Sequence, residues 1–279
     1  MKTTTRLAVC VLMSLWAVWF GPPAKTAAAA DTPEERARIR STLRYRLDAD
    51  LLYEHLTPNQ EYGDWHSLWL TFYVKALPRI TPFAWAGLYE REDAIGAGGV
   101  GAYVDWLPSL YTYTALGFSG VSDYQSRYRL DHFFNLKIRR LTWSFGGGYI
   151  EDHRDHTDWF LAAGPRYWHG PLILEYRLTR YASDPGNLTS WQHLASLGYG
   201  AEGRYWLFVN FTLGGEKYLA TWVDPSQVVD HDAWEVSAVW QQWLTARAGY
   251  KLRAGFLDLG EPGDGYRKYS VGVGGFWEF

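Results

Sequence analysis

Cysteine is almost missing from this chain, which has 279 residues and a single Cys10. That excludes a disulfide framework and any zinc site built on thiolates. An excess of positive charge is missing too, with 27 Lys and Arg against 30 Asp and Glu and a net charge of −3. Phosphate contacts need clustered cations, so a nucleic-acid partner is not expected. After residue 30 no apolar stretch reaches the 18 or so residues of a spanning helix. No glycine-rich loop follows a strand and opens a helix, and no Cys/His set has ligand spacing, so neither a cofactor nor a metal is expected. Methionine is rare, at 2 residues. Aromatic residues and glycine are abundant instead: 16 Trp, 20 Tyr, 13 Phe and 28 Gly, a mixture suited to strands and tight bends.

Residues 1–30 run from Lys2 and Arg6 through the apolar stretch Leu7 to Phe20 to Ala27-Ala28-Ala29-Ala30. This order of positive, apolar and small residues reads as a secretory signal peptide cut before Asp31. Its removal takes Cys10, Lys2, Arg6 and Lys25, leaving 24 cationic against 30 acidic side chains, net −6. Residues 31–40 then form a short leader. In it, Thr32-Pro33-Glu34-Glu35 has the pattern of a cap, a proline at the first helical position and a glutamate three after the cap, predicting a short helix through about Arg40. Arg36, Arg38 and Arg40 would let it enter a lumen as a plug; the alternative is a frayed end.

From there to residue 279 the pattern has period two. Leu43, Tyr45, Leu47, Ala49, Leu51 and Tyr53 share one parity, with Arg44, Arg46, Asp48, Asp50 and Glu54 on the other. Tyr269, Val271, Val273, Gly275, Trp277 and Phe279 repeat it at the end. Counting the similar stretches between predicts about 14 strands, within 12–16. Short connections near Leu77-Pro78-Arg79, Leu107-Pro108-Ser109, Ile138-Arg139-Arg140, His169-Gly170-Pro171, Ala201-Glu202-Gly203 and Trp243-Leu244-Thr245 alternate with longer ones. Tight turns at one end and loops at the other describe an all-β, antiparallel, up-and-down barrel over 41–279.

The charges decide its setting. Arg44, Arg46, Asp48, Asp50, Arg129, Asp131, Glu175, Arg177, Arg247, Lys251 and Arg253 are read as mid-strand residues on the inner parity. A soluble core could not hold them, whereas the lumen of a transmembrane barrel can, because lipid tolerates only a closed sheet with an apolar outer face. Trp65, Trp106, Tyr111, Trp159, Tyr167, Trp191, Tyr205, Trp234 and Trp277 are assigned to two interfacial girdles on that outer face. The terminal Phe279, closing an amphipathic strand, is the kind of signal read by the barrel-assembly machinery. Outer-membrane lipid and that machinery are therefore the expected partners, with both termini in the periplasm.

From about Pro165 onward the chain resembles the YaiO family of outer-membrane β-barrel proteins. The resemblance rests on Leu174-Glu175-Tyr176-Arg177-Leu178-Thr179-Arg180-Tyr181, on Gly203-Arg204-Tyr205-Trp206 and on Trp240-Gln241-Gln242-Trp243-Leu244-Thr245 leading into Gly249-Tyr250. It ends with Gly265-Tyr266-Arg267-Lys268-Tyr269-Ser270-Val271-Gly272-Val273-Gly274. It implies a barrel in the outer membrane of a Gram-negative bacterium and brings no catalytic motif. The helical-repeat domain that some members carry in front of the barrel is not seen here.

For chemistry, the densest segment is Glu151-Asp152-His153-Arg154-Asp155-His156-Thr157-Asp158, where His153, His156 and Asp155 are the weak catalytic candidates. Outer-membrane lipid hydrolases place a His two residues before a Ser, and neither imidazole here has that serine. His132 and His193 fall on the lipid parity; His66 is read as a lone lumenal imidazole. The leading expectation is a passive pore or export conduit for small polar or saccharide-containing solutes, with a basic sector of Arg44, Arg46, Lys268, Arg247, Lys251 and Arg253 favouring anions or sugars. A phospholipid or lipid A hydrolase using the 151–158 loop and a non-conducting structural barrel are the alternatives.

Overall fold

A computed structural model describes residues 33–58, 63–91, 94–121, 126–153, 156–219, 228–260 and 265–279. The proposed signal peptide lies outside the described residues, as does Asp155. Among the described residues one helix, α1 (Pro33–Thr42), precedes the sheet, with Glu34 and Glu35 in its first turn and Arg40 in its last, the charge order that suits the helix dipole.

Fourteen strands follow. They are β1 (Tyr45–Thr57), β2 (Asp64–Val74), β3 (Ile80–Glu90), β4 (Ala94–Leu107), β5 (Leu110–Ser119), β6 (Tyr128–Ile138) and β7 (Leu141–Glu151). The second half comprises β8 (Thr157–His169), β9 (Leu172–Asp184), β10 (Leu188–Ala201), β11 (Tyr205–Leu219), β12 (Val228–Trp243), β13 (Ala248–Gly260) and β14 (Tyr266–Glu278). Each pairs antiparallel with its sequence neighbours, and β1 pairs with β14, so the sheet closes. The expected short connections all lie at one end, here termed the turn end, and the remaining ones at the loop end. Some expected loops shrink: β9 runs to Asp184 and β10 starts at Leu188, leaving a tight bend at 185–187 where Asn187 takes a φ of 49°.

Closure is completed by the last residue. The Phe279 carbonyl accepts from the amides of Arg44 and Tyr45, both at 2.8 Å, and the Phe279 amide donates to the Tyr45 carbonyl at 3.0 Å. The Phe279 ring packs on Tyr45 and Phe72 on the outside.

The outer face is apolar, with Leu70, Phe72, Leu116, Leu130, Phe145, Leu161, Phe211, Val271 and Val273 all exposed. Toward the loop end it carries Trp159, Trp191 and Trp234; toward the turn end Trp106, Tyr167 and Trp277, all exposed. Two of the expected girdle residues face inward instead. Trp65 is buried, sharing the inner parity of Ser67 and Trp69, and Tyr111 shares that of Tyr113. His66 is correspondingly moved to the outside, its ring 5.3 Å from that of Tyr53. Along β2 both parities are apolar, so alternation alone could not assign its faces. His132 and His193 lie on the outer face, bonded to Thr114 Oγ1 and to the Tyr176 hydroxyl at 2.8 Å each.

Candidate functional site: the barrel lumen

The inner wall has two unlike sides. Along β13, β14 and β1 runs a ladder of ion pairs. Lys251 Nζ donates to Asp48 Oδ2 at 3.0 Å and to Asp50 Oδ2 at 2.7 Å; Arg46 binds Asp48 at 2.6 Å. Arg253 lies 3.4 Å from Asp50, and Lys268 lies 2.9 Å from Glu54. Lys251 and Asp50 sit two strands apart, with Gly274 of β14 in register between them. A Cβ at 274 would collide with the Asp50 carboxylate, so glycine on the middle strand is what lets the outer two meet.

The turn end of this ladder converges on Glu278, whose side chain is 2% exposed and lies 2.7 Å from Lys75, 3.7 Å from Arg40 and 3.8 Å from Arg46. Arg40 also pairs with Glu202 in the β10–β11 turn and sits 4.9 Å from the centre of the Trp243 ring. Helix α1 is therefore fastened to the rim by its last turn, while Arg38 is exposed.

The expected basic sector is thus corrected: Arg46, Lys251, Arg253 and Lys268 are each matched by a carboxylate. Arg44 and Arg247 are not mid-strand wall residues at all. Arg44 precedes β1 and Arg247 ends the β12–β13 turn, both exposed, with Thr245 Oγ1 accepting from the Arg247 and Ala248 amides at 3.1 and 3.0 Å. The other predicted residues form two separate groups across the barrel. Arg129 pairs with Asp131 on β6 at 3.0 Å, and Glu175 takes Arg177 at 2.7 Å and Arg166 at 2.6 Å.

The facing wall, from β2 to β9, is aromatic. Tyr73, Phe83, Tyr113, Phe133, Phe160 and Tyr181 follow one another with ring centroids 5.7, 5.9, 6.5, 6.3 and 5.7 Å apart, inside the range of favourable ring pairs. Glycines again provide the room. Trp85 lies over Gly99 and Gly117 of the next two strands, where a Cβ would meet its ring at 2.6 and 3.0 Å. Phe133 and Phe160 meet across β7, whose Gly146 and Gly148 have no space for a side chain. Sequence reasoning missed this wall and the Glu278 hub. The readable signal was the inner-parity aromatic set against glycine on the adjacent strand, as with Phe83 and Gly101.

In the β7–β8 connection, His156 is buried, with Nδ1 3.4 Å from Asp152 and Nε2 3.6 Å from Asp158. Its imidazole is held above the ordinary value chiefly by the Asp152 hydrogen bond, with the charges of Asp158, Asp152 and Asp184 adding to it and burial opposing. The Ser183 hydroxyl donates to Asp158, so the carboxylate stands between serine and imidazole. The order His–Asp–Ser sets the hydroxyl against the carboxylate and not against the imidazole, unlike the serine–histidine–aspartate order of hydrolases. His153 lies in the same connection.

Several solved barrels are similar in fold. The CymD monoaromatic hydrocarbon channel matches with a TM-score of 0.57 at 7% identity, over 88% of this chain and 91% of that one. A bacterial polysaccharide outer membrane secretin matches at 0.54 and 8%, over 85% and 98%. The anion-selective porin from Comamonas acidovorans matches at 0.45 and 11%, over 85% and 99%. No curated protein matches the chain. The YaiO membrane beta barrel domain matches residues 45–219, reaching well upstream of Pro165 and stopping short of the segments at 240–250 and 265–274 that also carried the resemblance. With its closed fourteen-stranded sheet, apolar outer face and charged interior, the chain belongs to this YaiO family of outer-membrane β-barrels.

Proposed function

We propose that the barrel is a passive conduit across the outer membrane for small polar or saccharide-containing solutes. The observation that carries this reading is the way the inner wall satisfies itself. Ion pairs close between side chains of the same or nearby strands, and rings lie over glycines of adjacent strands. Neither device needs to reach across the barrel, and the Arg129 and Arg253 side chains inside it stay 51% and 43% exposed. A lumen sealed by its own charges would bury them. In this reading the signal peptide is cleaved, the turn end faces the periplasm, lipid covers the outer face, and the assembly machinery reads the strand ending at Phe279. The same fold occurs in a hydrocarbon channel and a polysaccharide secretin, which makes the architecture compatible with passage.

Single-channel recording of the refolded protein in a planar bilayer tests the proposal. Discrete conductance steps are expected, and Arg177→Glu and Arg253→Glu should each move the reversal potential toward cation preference. A correctly folded barrel that stays silent would overturn the conduit.

A further inference from the structure

We infer that the loop-end half of the aromatic wall holds a binding subsite for a neutral saccharide. This deepens the conduit reading and rests on it. A cavity of about 300 Å³ opens on the inner face of β2 to β6, at the lower limit of ordinary ligand sites. Its lining includes the aromatic side chains Trp69, Trp85, Tyr89 and Tyr113 and the charged pair Arg129 and Asp131.

The rings are fixed against one another. Trp69 lies 5.1 Å from Trp85 and 4.7 Å from Tyr89, edge to face in the second case. Their backs are seated on backbone: a Cβ at Gly87 would meet Trp69 at 2.5 Å, and one at Gly99 would meet Trp85 at 2.6 Å. Rigid rings backed by strands present faces to the cavity without paying side-chain entropy when something docks.

The polar pair narrows the ligand class. Arg129 binds Asp131 through Nε at 3.0 and 3.2 Å, so the pair carries no net charge. An anion would have to compete with a carboxylate already in place, and a cation with a guanidinium. A pure hydrocarbon would desolvate both heads without giving them partners, which is costly. Arg129 is half exposed and Asp131 is 15% exposed, leaving donors and acceptor lone pairs side by side toward the cavity. A neutral pyranose meets both conditions: a C–H face for the rings and adjacent hydroxyls that can accept from the guanidinium and donate to the carboxylate.

Calorimetric titration of the refolded protein with cellobiose and with maltose, beside phenol and benzoate, tests this. At least one sugar should saturate in the millimolar range, with phenol and benzoate weaker, and the same sugar should interrupt single-channel current. Trp85→Ala, and Ala97→Phe placed on the half-buried edge of the cavity, should each weaken the sugar by about tenfold or more. Retained heat-modifiable mobility confirms that each variant is folded, and Trp85→Phe, which keeps a ring, should preserve most of the binding. Sugar binding unchanged in folded Ala97→Phe, or phenol or benzoate binding in place of sugar, would overturn the subsite. Ion conductance with no sugar binding would sink the subsite and leave the conduit. Sugar binding without conductance would keep the subsite and sink the conduit.

Discussion

Lys251 is 6% exposed and faces two carboxylates, Asp48 and Asp50, themselves 10% and 16% exposed. Removing the ammonium would leave those acids to Arg46 and Arg253 alone. Loss of one partner from a buried ionic network costs about 3–5 kcal/mol, more than the intact network contributes against an apolar replacement. Lys251→Met should therefore lower the unfolding free energy, read from the urea midpoint and slope, by that amount, and Asp48→Asn in the same chain should recover part of it; equal midpoints for Lys251→Met and the parent would rule the network out as a constraint. His156 makes a second residue-scale prediction. Because its folded value is raised above the ordinary 6.5, the protonated imidazole is favoured by folding. The stability it adds is complete below 6.5 and fades as pH rises through the raised value. Amide protection in the β7–β8 connection, corrected for the intrinsic rise of exchange with pH, should fall over that window in the parent and show no such step in His156→Asn.

Strands are the elements most legible from sequence, because a sheet between lipid and a polar lumen must alternate. β1 declares itself through Arg46, Asp48 and Asp50 against Leu47, Ala49 and Leu51. β2 does not: Leu68, Leu70 and Phe72 face out while Trp69, Thr71 and Tyr73 face in, and only charge would have revealed the lumen side. The aromatic wall was hidden for that reason. The ion-pair ladder was hidden for another, since Lys251 and Asp50 belong to strands that are not neighbours and meet only through the register at Gly274. At this scale glycine is the test. Gly99 has the Leu116 carbonyl 2.5 Å from where a Cβ would sit, and Gly96 on the same strand has nothing within 4 Å. Gly99→Ala should cost about 1–3 kcal/mol by overpacking, whereas Gly96→Ala should fall within about 0.5 kcal/mol of the parent. Refolding yield and urea midpoint measure both, and a tolerated Gly99→Ala would contradict the seated ring.

For the whole molecule, closure and fastening share one short segment. Phe279 supplies the backbone bonds that join β14 to the start of β1, and the adjacent Glu278 holds Lys75, Arg46 and Arg40. Arg40→Ala should free α1 while leaving the barrel intact. Trypsin would then cut at Arg36 or Arg38 faster, by about tenfold if release costs about 1.4 kcal/mol, with unchanged heat-modifiable mobility. Equal cleavage rates would mean that the helix is not held by this contact. Glu278→Gln should instead affect both, because it weakens the fastening and the rim together.

The two unlike sides of the interior also remove any rotational equivalence about the barrel axis. In the proposed conduit, a molecule inside would meet a run of ring faces interrupted by the Arg129–Asp131 and Arg166–Glu175–Arg177 groups on the β2–β9 side, and a ladder of charge pairs on the β13–β1 side, so its roll angle would matter as well as its depth. Two epimers of equal size and polarity, differing only in which face carries an axial hydroxyl, cannot both turn an unbroken C–H surface to the rings and a hydroxyl edge to the ions. Width filters by size; in the proposed conduit this wall would also tell one face of a molecule from the other.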